Sequence, residues 1–172
     1  MKIRLAVESD AEALASIYGH HVLNGLGTFE ETPPSPREMA SRLAAVQSHG
    51  LPWLVAEDGE VAGYAYVSPF RTRAAYRFVV EDSVYVAPGR IGQGVGRALL
   101  SDLISRCEAM GRRQMIAIIG DSENLGSIAL HAALGFTTIG VAPAVGWKRE
   151  RWVDVVWMQR PLGPGAATPP QP

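Results

Sequence analysis

The run Val84-Tyr85-Val86-Ala87-Pro88-Gly89-Arg90-Ile91-Gly92-Gln93-Gly94-Val95-Gly96-Arg97-Ala98-Leu99-Leu100 constrains the chain more than any other stretch. It reads as an apolar strand, a Pro-Gly break, a glycine-rich turn and the start of an amphipathic helix. The first amides of a helix have no partner inside it, and the helix dipole adds positive potential there. A strand feeding such a helix through glycines is therefore built to receive a phosphate or pyrophosphate. Three readings compete for the ligand. A dinucleotide fingerprint needs Gly-x-Gly-x-x-Gly, whereas Gly92, Gly94 and Gly96 alternate with single residues. A Walker A loop needs Gly-Lys-Ser/Thr, and the turn has no lysine. A tight strand-to-helix turn without ligand is the plain alternative.

The surrounding chain predicts a mixed α/β fold in one domain. Lys2 to Val7 alternates as a short strand, and Ser9-Asp10-Ala11-Glu12 has capping-box spacing ahead of a helix near residues 10–23. Ser35-Pro36-Arg37-Glu38 repeats that signal, with proline at the first helical position. Leu51 to Glu57 and Val61 to Pro69 read as strands around Asp58-Gly59, a hairpin turn signal. After Phe78 to Val86 and the glycine turn, Val95, Leu99, Leu103 and Cys107 form one apolar helical stripe ending at Gly111. Met115 to Ile119 is a continuous apolar run suited to a strand buried on both faces. A short helix near 124–134 and strands at Phe136 to Val145 and Trp152 to Gln159 complete the order β-α-α-β-β-β-α-β-α-β-β. Residues 1–160 form the expected domain, and the Pro/Gly-rich residues 161–172 are expected to be disordered.

Composition narrows the function. At 172 residues and net charge −1 there is no global basic field to recruit nucleic acid or an anionic membrane, so any anion site is local. No apolar run approaches the roughly 20 residues of a membrane span. Lys2 and Arg4 interrupt any signal-peptide core, and the single Cys107 suits a reducing compartment, so a soluble cytoplasmic protein is expected. His20, His21 and His49 have no metal-ligand company and no metal is expected.

Residues 84–100, with Asn124 to Phe136, resemble the acetyl-CoA signature of the GNAT N-acetyltransferase superfamily, whose turn reads Gln/Arg-x-x-Gly-x-Gly/Ala. Here Gly94-Val95-Gly96 supplies the glycine half, Ile91 stands at the first position and the arginine is displaced to Arg90. Ile17-Tyr18, Leu54-Val55-Ala56-Glu57, Gly63-Tyr64-Ala65, Glu81 to Val86, Ser127 to His131, Leu134-Gly135-Phe136 and Arg151-Trp152-x-Asp154 recur in order. As a set they resemble the phosphinothricin / methionine sulfoximine N-acetyltransferases over about residues 2–160. Gly19, Phe78-Val79 and Arg149-Glu150 depart from that pattern. The resemblance implies a central, mostly antiparallel twisted sheet flanked by helices, acetyl-CoA as cosubstrate, a small-molecule amine substrate and a homodimer.

It also implies roles. Val84, Tyr85 and Val86 would run along the pantetheine arm, and Gly92, Gln93, Gly94, Val95, Gly96 and Arg97 would surround the pyrophosphate. Asn124 would hydrogen-bond the pantetheine, with Ser127 beside it, and Arg71, Thr72, Arg73, Asp82 and Ser83 would line the substrate region. Acetyl transfer by direct attack needs a neutral amine and a proton for the departing thiolate. Glu81, a carboxylate in an apolar strand, is the candidate base or ammonium-binding group; an ion pair with Arg71, Arg73 or Arg77 is the structural alternative. His131, two helical turns after Asn124, is the candidate acid, against a satisfied core histidine. Phe29 and Tyr76 could wall a pocket, and Trp147, Trp152 and Trp157 fill the core or a subunit contact. Acetylation of another amine (another amino acid, a peptide, an aminoglycoside) and a non-catalytic acyl-CoA sensor remain alternatives, and phosphoryl transfer is disfavoured by the missing Walker lysine.

Overall fold

The computed structural model describes residues 1–170. Seven strands and four helices follow the expected order, with short 3-10 turns at Glu8–Asp10 and Ala74–Tyr76. The chain divides into two compact units, one of Met1–Val67 with Ser83–Leu103, the other of Ser68–Asp82 with the chain from Ile104 onward.

In the first unit the strand order is β1-β2-β3-β4. Strand β1 (Lys2–Leu5) runs antiparallel to β2 (Trp53–Asp58), and β2 to β3 (Glu60–Pro69) through the Asp58-Gly59 turn. Helices α1 (Ala11–Asn24) and α2 (Pro36–Ser48) lie between β1 and β2 in sequence. The Ser35 hydroxyl accepts from the Glu38 amide as expected of an N-cap. Asp10 does not cap α1; its carboxylate takes the Val7 amide and both Arg4 Nη atoms at 2.8 Å each. Arg4, coming from β1, outcompetes the local cap, because a bidentate charged pair is stronger than one neutral donor. Tyr18 of α1 and Arg42 of α2 hold the loop between them. The Tyr18 hydroxyl lies 2.7 Å from Thr28 Oγ1 and donates to Glu30 Oε1 at 2.9 Å, while Arg42 grips both Glu30 oxygens at 2.7 and 3.0 Å.

Gly63 of β3 faces the end of β4 (Val79–Val86) across a gap that no other residue fits. A Cβ there would stand 2.8 Å from the Tyr85 carbonyl oxygen and 3.2 Å from Val86 Cα. Helix α3 (Val95–Ala109) buries the expected stripe, with Leu99, Leu100 and Leu103 at zero exposure.

The second unit has strand order β4-β5-β7-β6. The start of β4 pairs in parallel with β5 (Gln114–Gly120) from Val79↔Gln114 to Asp82↔Ala117. Antiparallel β7 (Arg151–Pro161) covers the whole of β5, and β6 (Thr137–Lys148) is the outer strand. Helix α4 (Leu125–Ala133) follows β5 and is capped by Asn124, whose Oδ1 accepts from the Ser127 amide at 3.2 Å.

Two expectations change here. Trp147 and Trp152 do not fill the core; both are more than half exposed, edge-to-face at 5.2 Å. The tail from residue 161 is packed rather than loose as far as it is described. Pro161 still belongs to β7, Leu162 is fully buried, and Arg113 donates to the Gly165 and Pro169 carbonyls and Thr168 Oγ1. Backbone bonds from the Leu162 amide to the Arg113 carbonyl and from the Gly165 amide to the Leu162 carbonyl add to these contacts in a segment whose composition reads as unstructured. Residues 171–172 of the expected disordered tail lie outside the described residues.

Candidate active site

The glycine turn belongs to the first unit. Gly89, Gly92 and Gly94 each adopt φ near +81°, the left-handed region that side chains oppose. Helix α3 begins immediately after, and its first internal bond runs from the Ala98 amide to the Gly94 carbonyl at 3.0 Å. The amides of Val95, Gly96 and Arg97 are thus those that helix geometry leaves without an intrahelical acceptor. Donors at a dipole's positive end, flanked by glycines, fit a pyrophosphate. The sequence left Arg90 without a role, and the structure supplies one. Its guanidinium donates to Asp58 Oδ2 at 3.1 Å and the Asp58 carbonyl at 3.2 Å, while Gln93 Nε2 reaches the Gly89 carbonyl at 2.8 Å. Ile91 points outward, 69% exposed.

Leading into the turn, Ser83, Val84, Tyr85 and Val86 are all half-buried. The Tyr85 ring packs on Tyr18 at 4.9 Å and Tyr64 at 5.2 Å, and burial holds its phenol well above the usual range. His21, which the sequence marked only as lacking metal-ligand company, donates from Nε2 to the Val86 carbonyl at 2.8 Å. Burial lowers its pKa and favours the neutral ring, which still donates this bond from Nε2, although the carbonyl opposes the shift.

The acid–base candidates belong to the second unit. Glu81 is half-buried on β4 with Oε2 3.9 Å from Arg71 Nη1. Burial raises its pKa, Arg71 pulls it back and the neighbouring Asp82 charge raises it further. Arg71 lies over the Phe70 ring at 4.2 Å and 6.0 Å from the Trp157 ring, a cation–π setting that keeps the guanidinium beside Glu81. Thr72 and Arg73 are exposed on the same loop, and Tyr76 meets Phe70 edge-to-face at 5.6 Å. The structure therefore brings Arg71 and Glu81 together.

Asp82 takes a different position from the substrate-lining one expected of it. Its side chain points to the opposite face of β4 from Glu81, is 1% exposed, and Oδ2 lies 3.0 Å from His131 Nε2. On the other side of the ring, Nδ1 lies 2.7 Å from the Ser127 carbonyl and 3.4 Å from Ser127 Oγ. Burial opposes a charge on His131, but the Asp82 hydrogen bond and charge, with the Ser127 carbonyl, outweigh it and raise the pKa. A carbonyl and a carboxylate at opposite nitrogens call for N–H on both, so the ring sits as an imidazolium. The pair was missed in the sequence although its signal was present: strand alternation turns Asp82 inward, and a buried carboxylate must find a cation. Asn124 uses both ends of its amide locally, Oδ1 on the Ser127 amide and Nδ2 on the Gly120 carbonyl at 3.3 Å. Cys107 is fully buried with its thiol pushed up to about 12 by burial, unsuited to nucleophilic work.

The fold and the sequence match a known class. Residues 17–136 match the model of the acetyltransferase (GNAT) family. The chain is 54% identical to a phosphinothricin N-acetyltransferase of Alcaligenes faecalis over 98% of its own length and 86% of the relative's. It is 40% identical to an L-methionine sulfoximine/L-methionine sulfone acetyltransferase of Salmonella typhimurium, covering 97% of this chain and 98% of that one. The crystal structure of a GNAT superfamily phosphinothricin acetyltransferase from Sinorhizobium meliloti, in complex with AcCoA, superposes with TM-score 0.96 at 52% identity, covering 99% and 92% of the two chains. The chain belongs to the GNAT acetyltransferase family.

Proposed function

We propose that the protein transfers the acetyl group of acetyl-CoA to the amine of a small amino-acid-like substrate, phosphinothricin, methionine sulfoximine or methionine sulfone, by direct attack in a ternary complex. The observation that carries this reading is Glu81 beside Arg71, 3.9 Å apart. A half-buried carboxylate and a guanidinium side by side mirror the ammonium and carboxylate of an α-amino acid. They are also the acceptor and the cation that such a substrate needs. Acetyl-CoA, when bound, supplies the activated acyl group. Toward it the α3 amides of Val95, Gly96 and Arg97 bind the pyrophosphate, with Gly92, Gln93 and Gly94 shaping the turn. Val84 to Val86 offer strand edge to the pantetheine. Asn124 and Ser127 are assigned to cofactor binding as well, the Asn124 side chain acting through its cap of α4.

Glu81 accepts the amine's proton, directly or through water, and the upward push of burial brings it nearer the operating pH. Arg71, with Thr72 and Arg73, holds the substrate carboxylate, and Ser83 of β4 is assigned to substrate binding as well. His131 stores the proton that the leaving sulfur needs. We read the assembly as a homodimer through the outer strand β6, where Ile139, Val141, Val145 and Trp147, with Trp152 of β7, are each more than half exposed. Among the described residues no helix is long and apolar enough to cross a membrane, and we place the enzyme in the cytoplasm. The test is release of CoA thiol from acetyl-CoA with a panel of amino acids, peptides and aminoglycosides. Turnover with phosphinothricin or the methionine analogues is expected; turnover only with a peptide or aminoglycoside overturns the substrate assignment.

A further inference from the structure

His131 is 3% exposed and its ring is held on both sides, so it cannot reach a ligand unaided. Ser127 is different. It is half-buried, one helical turn earlier on α4, and its Oγ stands 3.4 Å from His131 Nδ1. Its backbone, not its hydroxyl, serves the Asn124 cap. Asp82, Nε2, Nδ1 and Ser127 Oγ therefore form one chain of polar atoms running from the buried face of β4 to the accessible face of α4. We propose that Ser127 is a proton relay for the transfer reaction and that Asp82 is the positioning residue that keeps His131 charged and oriented behind it.

In the step, the Ser127 hydroxyl gives its proton to the departing thiolate while Oγ takes the proton from His131 Nδ1. The new S–H bond replaces the O–H bond, the O–H bond is restored at the expense of N–H, and His131 ends neutral. Its remaining Nε2–H still donates to Asp82 Oδ2, so the ring keeps its orientation until solvent returns the proton. Asp82 has a second oxygen, Oδ1, buried without a hydrogen-bond partner among the described residues. Its only bond is thus to the imidazole, and its charge acts on that ring. The other ionisable groups that feel the carboxylate's charge are Glu81, next to it on β4, and Cys107 on α3, which is also under the influence of Arg112. Cys107 stays a thiol across the working range, and Arg112 Nη1 donates to the Arg77 carbonyl. Phe136 closes the ring's edge at 5.0 Å.

The inference rests on the reading of His131 as the acid, and the experiment separates the two. The full-length Ser127→Ala, Ser127→Thr, Asp82→Asn and His131→Ala proteins are compared by steady-state kinetics at saturating acetyl-CoA across pH. The His131 ring is followed by nuclear magnetic resonance titration without ligand. For Ser127→Ala, kcat should fall by about 100-fold, the usual worth of a positioned proton donor, with KM for acetyl-CoA changing less than about threefold. Ser127→Thr, which keeps the hydroxyl, should recover most of the loss. In Asp82→Asn the His131 midpoint should drop by about 1 pH unit or more, and the alkaline limb of kcat should move with it. A silent Ser127→Ala with an inactive His131→Ala overturns the relay alone. Normal turnover in His131→Ala overturns the acid reading and the relay together. An unchanged His131 midpoint in Asp82→Asn overturns the role of Asp82. Should Asp82→Asn fail to fold, the Ser127 pair still decides the relay, since both substitutions act at a half-buried helix surface.

Discussion

Replacing Gly63 by alanine should damage both stability and acetyl-CoA binding. The new Cβ would lie 2.8 Å from the Tyr85 carbonyl oxygen, 3.0 Å from Val95 Cγ1 and 3.2 Å from Val86 Cα. Ordinary carbon contacts sit about 3.5 to 4.0 Å apart, so the neighbours must retreat by roughly 0.3 Å at Val86 Cα and roughly half an ångström or more at the other two. None can do so cheaply. Two of the atoms are backbone of β4, and Val95 is a β-branched residue at the start of a helix, 3% exposed, with essentially one rotamer available. Overpacking of this kind typically costs about 1 to 3 kcal/mol, and contacts with two backbone atoms place Gly63→Ala near 2 kcal/mol on that scale. At roughly 2 to 4 °C per kcal/mol for a chain of this size, Tm should fall by about 4 to 8 °C. The displaced atoms belong to Tyr85 and Val86, so acetyl-CoA affinity should fall as well, while a surface control such as Gly126→Ala, where an added Cβ meets nothing, leaves binding alone. Urea unfolding gives the stability change and isothermal titration with CoA gives the affinity. A loss below about 0.5 kcal/mol, the range of ordinary surface substitutions, with unaltered CoA binding would show that β4 yields freely and would refute the reasoning.

Three further outcomes follow from the same structure. Gly94→Val forces a β-branched residue to φ near +81° at a cost of about 1 to 3 kcal/mol, so CoA should bind roughly 10-fold weaker or worse; Ile91→Ala, at an exposed side chain, should bind as wild type in the same titration. The raised pKa of His131 means that its contribution to stability is full below the unfolded imidazole value of about 6.5 and is lost as pH rises through the higher folded value. Tm should therefore decline on the alkaline side, and Asp82→Ala, which strands a buried imidazole, should flatten that decline while lowering Tm throughout. Leu162→Ala removes a fully buried side chain and should cost about 2 to 4 kcal/mol in urea unfolding; a neutral result would show that the tail contributes nothing to the packing.

Local signals were legible in the sequence and long-range pairings were not. Ser35-Pro36-Arg37-Glu38 read correctly because a cap and its amide lie three residues apart. Ser9-Asp10-Ala11-Glu12 carried the same spacing, but α1 begins at Ala11, so Asp10 rather than Ser9 stands at the cap position, and its carboxylate is taken by Arg4 and the Val7 amide. The apolar stripe of α3 was legible from periodicity, whereas Arg90 finds Asp58 across 32 positions and His131 finds Asp82 across 49. No spacing rule reaches that far. Alternation placed Asp82 on the face away from Glu81 and left its partner unnamed. The tryptophan spacing left two readings, core or subunit contact, because hydrophobicity marks what can be buried without saying by what; the exposure of Trp147 and Trp152 removes the first of these for that pair.

The bonds of Arg90 and Gln93 have a kinetic consequence. They tie the glycine turn to the β2–β3 hairpin and to its own start, so the amides of Val95, Gly96 and Arg97 are already aimed when a ligand arrives. A pre-shaped receptor gives up little disorder on complex formation. Encounter rates with CoA should then change little among turn variants, and cutting the Arg90–Asp58 bridge should shorten the lifetime of the complex instead.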